Sequence, residues 1–260
     1  FQMYGRKQEL SLCTNQDHCS WLETTVPLHK SGSLQLTGNY FPISVLPVLS
    51  KIIERHVHTH LYNYVRPLIL ESQSGFLPKH SCETALCKMV NSWSHAMDND
   101  FMNGVIFVDL RKAFDLVSHR HLLHKLDLYR CNPTSLSWFR SYLTDRKQSV
   151  QFKSSSSDKL NIKSGVPQGS ILGPLLFIIF MNDLPLHLEN QIDMYADDSS
   201  IHVCGKSVEE IQENLNIDLQ RLHGWSHVNK MAINTDKTKS MLITTNQKTE
   251  TFTYTKPQLL

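Results

Sequence analysis

Two adjacent aspartates, Asp197 and Asp198, lie in a segment whose pattern admits few structures. Apolar residues alternate with polar ones before the pair, in 191–196, and again after it, in 201–203. Strict alternation over a short stretch is typical of a β-strand with one buried face. Two such strands separated by a short turn predict a β-hairpin. Residues 191–204 are therefore predicted to form a hairpin whose turn carries both carboxylates.

A third acid, Asp109, ends a run of β-branched and aromatic residues that predicts a buried strand over 104–108. If this strand lies beside the hairpin, Asp109, Asp197 and Asp198 meet at one edge of a sheet. Such oxygen ligands suit Mg²⁺, and two ions about 3.5–4 Å apart can promote an in-line displacement at phosphorus. A lone acid at a strand end or in a hairpin is more often a turn residue or a helix cap. The acids by themselves therefore leave both interpretations open.

The rest of the chain alternates helical and extended patterns. Pro47 opens a helix, and its predicted apolar face consists of Leu49, Ile52, Ile53, Val57, Leu61, Tyr64 and Val65. The other predicted elements are a helix after Ser81, the strand ending at Asp109, helices around 118–130 and 134–144, a hairpin over 149–163, an apolar helix over 175–181, the hairpin of 191–204, a helix with a Ser207–Glu210 capping box, and strands near 231–234 and 240–245. Without the hairpin over 149–163, the second half has the βαββαβ order of a ferredoxin-like sheet with helices on one face. The predicted fold class is α+β.

Composition narrows the setting of the chain without identifying an activity. With 260 residues, 40% of them hydrophobic, the chain can bury one large core or two smaller ones. A net charge of +2 neither requires nor excludes a nucleic-acid partner. The six cysteines form no CxxC pair, which favours reduced thiols inside a cell, in either nucleus or cytoplasm. The longest apolar run is far shorter than the ~20 residues that span a bilayer, so no membrane partner is expected.

Longer motifs follow one another in a fixed order. They are WLETTVPLHKSG (21–32), NYFPISVLPVLSKIIE (39–54), SGFLPKHSCETAL (74–86), VDLRKAFD (108–115), SGVPQGSILGPLLF (164–177), YADD (195–198) and LHGWSHVNKMAINTDKTKSMLI (222–243). Over residues 21–245 this series resembles the motif series of non-LTR (LINE-type) retrotransposon reverse transcriptases. Group II intron and bacterial relatives share the core, but PLHK and SGVPQGSILGPLLF are more similar to the LINE-type branch. Any one motif is weak evidence, whereas the ordered series makes coincidence very improbable.

The resemblance implies the fingers and palm of a right-hand polymerase. Residues 21–100 would form the fingers and residues 101–245 a palm built on the ferredoxin-like antiparallel sheet. Residues 1–20 would be an irregular lead-in and 246–260 an irregular tail. A thumb is expected to be absent, and because the chain begins with Phe1, we expect it to be part of a longer reading frame.

The resemblance also implies RNA-directed DNA synthesis at the acids. Asp109, the Leu110 carbonyl, Asp197 and Asp198 would hold two Mg²⁺ ions, with Mn²⁺ as a substitute. The partners would be an RNA template, a DNA primer and deoxynucleoside triphosphates, while the oligomeric state stays open.

Further site residues follow from matching positions in the motifs. Phe114 would be an aromatic steric gate that rejects a 2′-hydroxyl, although ordinary core packing is the alternative. Gln168 and Gly169 would contact the incoming nucleotide and template, since a glycine permits close backbone approach. Lys237 would be a general acid for pyrophosphate, with a solvated lysine as the alternative. Lys30 would bind substrate phosphate.

Two positions depart from the family pattern. Phe41 and Leu77 stand where the family usually has arginine, and losing a charged contact to a buried phosphate costs on the order of 2–5 kcal/mol. Lys30, Lys51 or Lys79 would compensate in part, without the bidentate fork of arginine. A catalytically impaired remnant that only binds nucleic acid is therefore a second hypothesis. An intron-maturase protein is a third, and it would need a splicing-associated domain.

Overall fold

The computed structural model describes residues 22–29, 32–36 and 39–245. In chain order the helices and strands are β1 (Leu22–His29), β2 (Tyr40–Val45), α1 (Val48–Val65), α2 (Cys82–Asp98), β3 (Met102–Val108), α3 (Ala113–Leu116), α4 (His119–Leu128), α5 (Pro133–Leu143), β4 (Lys147–Phe152), β5 (Ser155–Ser156), β6 (Leu160–Asn161), α6 (Gly173–Met181), β7 (Gln191–Tyr195), β8 (Asp198–Gly205), α7 (Val208–Asn229) and β9 (Lys239–Ile243). Short 3₁₀ helices cover Arg66–Leu68 and Leu184–His187. The predicted lead-in over 1–20, the tail over 246–260 and Lys30 lie outside the described residues.

A four-stranded antiparallel sheet with the order β7-β8-β3-β9 carries the predicted acids. Residues of β3 and β8 are mostly buried, because their β-branched side chains fill the space between the sheet and the helices. Counting only β3, β7, β8 and β9 with the helices between them, the strands follow the βαββαβ order with the neighbour pattern of a ferredoxin-like sheet. The predicted α+β class and palm topology are confirmed.

A second sheet has the order β2-β1-β4-β5, with β6 also paired to β4. β1 and β2 are antiparallel, whereas β1 and β4 are parallel, with Thr24 opposite Ser149. A parallel pair needs a long connection between its strands, and here more than a hundred residues separate them. The chain therefore leaves this sheet after β2 and returns to it at 147–161.

The core lies between the first sheet and the helices and is centred on α6, whose residues are buried except Pro174. Such an apolar helix is typical of a fully buried position. It connects to α4 through Lys125, whose ammonium group donates to the Phe180 carbonyl at 2.6 Å. Among the described residues, no helix combines the length and apolar character needed to cross a membrane.

The helix α1 corrects one prediction. Val57, Leu61 and Val65 are buried as expected, but Leu49, Ile52 and Tyr64 are 69%, 61% and 49% exposed. The first turns of α1 extend beyond the core, and near its other end the Tyr64 hydroxyl donates to the Tyr129 carbonyl at 2.9 Å. Periodicity identifies a face of a helix but not how far its partner extends along it.

Two smaller predictions are also corrected near the ends of α7. The carboxylate of Glu210 accepts from the backbone of Lys206 at 2.8 Å, although the Ser207 hydroxyl does cap the helix by accepting from Glu210 N. The strand predicted near 231–234 is reduced to a single bridge between Ile233 and Leu110. Both segments are short, so tertiary contacts decide their pairing.

Candidate active site

Asp109 is the first residue after β3, and its carboxylate is held from one side. Asn234 donates its side-chain amide to Asp109 Oδ2 at 2.7 Å, and Lys237 Nζ lies 3.7 Å from the same oxygen. The backbone is held too, because Asn234 N donates to the Asp109 carbonyl at 2.8 Å. The segment after α7 therefore determines where this carboxylate points.

The β7–β8 hairpin places Asp197 and Asp198 at the same edge of the sheet. Asp198 begins β8, which pairs with β3 along its whole length, so that Ser199 lies opposite Val108. Ala196 in the turn has a positive φ of 62°, a conformation that suits hairpin turns. The predicted hairpin is confirmed, but its turn carries only Asp197, because Asp198 already pairs with Tyr195 as the first residue of β8.

Asp109 and Asp197 are close enough to Asp198 to affect its ionisation. Burial raises the pKa of Asp198, and the negative charges of Asp197 and Asp109 raise it further, while the Lys237 ammonium lowers it. Like charges favour the protonated form of a neighbouring carboxyl group. Negative charge is therefore concentrated at this edge of the sheet, and a bound cation would reduce the repulsion between the carboxylates.

No group of three or more His, Cys, Asp or Glu side chains in the described part of the chain is gathered in a geometry ready to hold a metal. Asp109 instead contacts Asn234 and Lys237. The Leu110 carbonyl takes no part in the bridge to Ile233, because its two hydrogen bonds come from the flanking residues. That carbonyl is therefore not used by the neighbouring strand.

A second segment holds the hairpin from the other side. Gln73 Oε1 accepts from Gly75 N at 2.7 Å and from Ala196 N at 3.1 Å. Gln73 also forms a parallel bridge to Met194, and Ser74 N donates to the Met194 carbonyl at 2.8 Å. Gly75 packs so closely that a Cβ there would lie 2.8 Å from Ala196 Cα. The turn around Gly75 is thus fitted directly against the YADD backbone.

Phe114, the predicted gate, is half-buried on α3. Its ring stacks on Phe177 of α6, with centroids 4.4 Å apart and planes at 13°. On another side it meets the ring of Phe76 edge to face, with centroids 6.1 Å apart. Phe114 therefore packs against the core and keeps a partly exposed side, so that core packing and a gate are compatible.

Gln168 lies in a loop that folds against the segment after Asp109. Val166 N donates to the Phe114 carbonyl at 2.9 Å, and Gln168 Nε2 lies 3.5 Å from Asp115 Oδ1. The Gln168 carbonyl accepts from Ser44 N of β2 at 2.7 Å. The loop therefore joins the second sheet, through β2, to the residues around Phe114.

The glycine next to Gln168 has a positive φ of 102°, and a Cβ there would lie 2.7 Å from the Ser44 carbonyl. Gly169 thus permits a close approach to β2 of this chain. An open cavity of about 210 Å³ lies beside the loop, lined by Thr25, Pro42, Ser44, Asp115, Arg146, Gln148, Ile162 and residues 164–168. Burial raises the pKa of Asp115 on its wall.

The two positions that depart from the family pattern lie in different settings. Phe41 is in β2, where its backbone pairs with Leu28. Leu77 is 7% exposed and packs in the main core. It also lines a second open cavity, of about 420 Å³, with Arg66, Lys79 and Lys88 on its walls. Lys79 therefore lies near Leu77, as the hypothesis of partial compensation requires.

Residues that contact the acids also include some that the sequence alone did not single out. Asn234 and Gln73 hold Asp109 and the YADD turn through side-chain amides, whereas their positions in sequence show no periodic signal. A usable signal existed for Asn234, since it directly precedes the polar turn that contains Lys237. For Gln73 the signal was its place two residues before Gly75.

The family model "Reverse transcriptase (RNA-dependent DNA polymerase)" matches residues 28–255. Among curated proteins, the chain is 32% identical over 224 residues to the RNA-directed DNA polymerase from mobile element jockey of Drosophila melanogaster, covering 82% of this chain and 24% of that protein. It is 29% identical over 230 residues to the probable RNA-directed DNA polymerase from transposon X-element of the same species, covering 85% and 25%. The chain thus spans about a quarter of the length of these relatives.

Among solved structures, telomerase from Candida tropicalis superposes with a TM-score of 0.60 at 12% identity, covering 86% of this chain and 41% of that chain. At this identity the match supports the polymerase fold alone. The family model covers most of the chain, and the curated relatives are encoded by mobile elements. The chain therefore belongs to the reverse transcriptase family, in its non-LTR retrotransposon branch.

Proposed function

We propose that this chain catalyses RNA-directed DNA synthesis, adding deoxynucleotides to a primer 3′-hydroxyl with two divalent metal ions. The observation that carries the proposal is the meeting of Asp109 with Asp197 and Asp198 at one sheet edge, where the two neighbours raise the pKa of Asp198. A cluster of negative charge with unfavourable mutual repulsion is a suitable site for cations and their phosphate ligands.

The donor set fits divalent metal ions in kind. Asp109, Asp197 and Asp198 supply hard oxygen ligands, and the Leu110 carbonyl supplies another that its bridge leaves unused. These groups would hold Mg²⁺, or Mn²⁺ as a substitute. When bound, the two ions would activate the primer hydroxyl and neutralise charge on the leaving pyrophosphate.

The other residues would position and select the substrates. The partly exposed side of Phe114 would lie against the sugar and reject a 2′-hydroxyl, since its stack on Phe177 limits its movement. Gln168 and Gly169 would contact the nucleotide and template from a loop anchored to β2. Lys30 would bind substrate phosphate.

Lys237 would protonate the pyrophosphate. Its ammonium lies 3.7 Å from Asp109 Oδ2, and its side chain is 65% exposed, which leaves it free to reach a phosphate. A proton delivered there would lower the charge of the leaving group. In this scheme the carboxylate of Asp109 orients the ammonium before substrate binds.

The domain assignment belongs to the same proposal, with fingers over 21–100 and palm over 101–245. The strands over 147–161 extend the sheet of β1 and β2, so they would pack with the fingers although they lie in the palm segment of the sequence. The family model describes an RNA-dependent DNA polymerase, so the partners in this proposal are an RNA template and a DNA primer.

Primer extension tests the proposal. Purified chain with poly(rA)/oligo(dT), dTTP and Mg²⁺ should extend the primer, whereas Asp197→Asn should lower the rate by about 10³-fold or more, since one metal ligand is lost. Asp158 is an exposed carboxylate outside the sheet that carries the acids, so Asp158→Asn should retain the wild-type rate. Extension that survives Asp197→Asn would contradict the assignment of the metal site.

A catalytically impaired remnant is the second candidate, and the setting of Leu77 favours it. A leucine buried in the core has no group that could neutralise a phosphate. If the wild type binds template–primer without extending it, and Phe41→Arg with Leu77→Arg restores no extension, the remnant is the better description. Extension by the wild type would exclude it.

A further inference from the structure

We propose that Phe76 is a second specificity-determining residue, which bounds the sugar of the incoming nucleotide together with Phe114. The inference rests on the proposed function and extends it to a residue outside the motif of the acids. Four features of the structure support it: the contact with Phe114, the anchoring of its turn, its backbone conformation and its exposure.

The ring of Phe76 meets that of Phe114 at an interplanar angle of 88°, with centroids 6.1 Å apart. Phe114 in turn lies flat on Phe177. Edge-to-face and offset-stacked pairs are the favoured arrangements of aromatic rings. The exposed ring of Phe76 and the half-buried ring of Phe114 therefore form a right-angled apolar corner whose back is the buried Phe177.

The turn that carries Phe76 packs against the β7–β8 hairpin and is hydrogen-bonded to it. The neighbouring Gly75 packs on the peptide between Tyr195 and Ala196, and Gln73 links the two backbones through hydrogen bonds. On the other side of Phe76, Leu77 is anchored in the core. The position of the Phe76 ring is therefore fixed relative to both the acids and Phe114.

The backbone of Phe76 is strained, because its φ is 57°. A left-handed conformation is unusual for a bulky residue without a specific reason. The same side chain is 53% exposed, so burial of the ring does not supply that reason. An exposed apolar ring on a strained backbone, in contact with Phe114, fits a role in contacting a ligand.

The chemistry of the contact follows from the two rings. The apolar C–H face of a deoxyribose fits a corner of two aromatic rings, whereas a 2′-hydroxyl would lose its water there without gaining a hydrogen-bond partner. Phe76 would therefore raise the affinity for deoxynucleotides and add to the discrimination against ribonucleotides.

The test compares dATP with ATP in single-nucleotide extension opposite uracil in an RNA template. Phe76→Gly and Phe76→Asn remove the ring but accept the left-handed backbone, so their thermal unfolding midpoints should stay within a few degrees of the wild type. Phe76→Tyr keeps the ring. Phe152→Ala is the matched control, since Phe152 is 51% exposed on β4.

For Phe76→Gly and Phe76→Asn we expect a KM for dATP about fivefold to tenfold higher, with kcat within about twofold. The ratio of kcat/KM for dATP over ATP should fall several-fold, while Phe76→Tyr and Phe152→Ala should match the wild type. An unchanged KM and an unchanged ratio in folded variants would overturn the inference. A merely structural role would lower stability without changing the ratio.

A binding measurement keeps the two proposals distinguishable. If the wild type does not extend primers, dATP binding to its complex with RNA template and a dideoxy-terminated primer is measured by calorimetry. Weaker binding by Phe76→Asn than by Phe152→Ala would support the inference even though the proposed activity had failed. Equal binding, or no dATP binding by the wild type, would overturn it.

Discussion

At the scale of single residues, the site consists of three acids whose negative charges repel one another and are only partly balanced by the Lys237 ammonium. Asp109 is held by Asn234 and Lys237, whereas Asp198 experiences burial and two negative neighbours. The acids were predictable, because their positions follow from strand and turn patterns. The contact of Asn234 with Asp109 was not predicted, because it depends on a bridge between residues far apart in sequence, although the polar turn after Asn234 offered a signal.

Asp198→Asn should slightly stabilise the chain at pH 7 in EDTA. The pKa of Asp198 is raised in the folded state, so the folded state favours the proton and its charged form opposes folding. The stability present at low pH is therefore lost as pH rises through the raised pKa. Because the group is only partly buried and solvent screens its interactions, we expect a gain of only tenths of a kcal/mol, or about 1 °C.

Urea unfolding at pH 7 and at about pH 3 would measure this effect, since the aspartate is largely protonated in both states at the lower pH. The difference between Asp198→Asn and wild type should disappear there. Asp158→Asn serves as the exposed control. A loss of stability at pH 7 in EDTA would contradict the account of repulsion.

At the scale of elements, the hairpin β7–β8 depends on two segments that hold it from outside the sheet. The turn around Gly75 packs on one side, and the segment with Asn234 and Lys237 holds the end of β3 on the other. The hairpin itself follows from local alternation of residues. Its exact orientation depends on these contacts, which no local pattern encodes.

Gly75→Ala should lower the free energy of unfolding by about 2–3 kcal/mol, because its Cβ overlaps the Ala196 backbone and forces the hairpin to move. Primer extension should fall with it, since Asp197 follows Ala196 directly. Gly224→Ala in α7 is the matched control. Its Cβ would meet nothing within 4 Å, and we expect a gain of about 0.5–1 kcal/mol.

Chemical denaturation and extension assays on the two variants measure these effects together. If Gly75→Ala proved as stable and active as the wild type, the close packing of the 73–77 turn on the hairpin would be wrong.

At the scale of the whole molecule, a charged group inside the core ties three helices together. Lys125 of α4 donates to the Phe180 carbonyl of α6 at 2.6 Å and to Asp183 Oδ1 at 2.7 Å. Trp225 of α7 donates to the same carboxylate oxygen at 3.1 Å. The ammonium also lies over the rings of Phe180 and Trp225. Burial lowers the pKa of Lys125, and Asp183 opposes that shift.

Lys125→Ala should destabilise the chain by about 2–4 kcal/mol, because it leaves the Asp183 carboxylate with the Trp225 N–H but without its cationic partner, and opens a cavity. Lys125→Met keeps the packing volume and should cost less. Denaturation midpoints of both variants, with exposed Lys163→Ala as control within about 0.5 kcal/mol, provide the measurement. Equal effects of Lys125→Ala and Lys163→Ala would show that the network contributes nothing.

The sequence by itself determined the palm strands, the YADD hairpin and the helices, because side-chain periodicity, turn residues and caps act over a few positions. Tertiary structure alone decided the pairing of β1 with β4, the exposure of Leu49 and Ile52, and the docking of the Gly75 turn. It also decided that Phe76 stands beside Phe114. These features join residues tens of positions apart, and their energies depend on which surfaces meet, a property of the packed molecule that no local pattern contains.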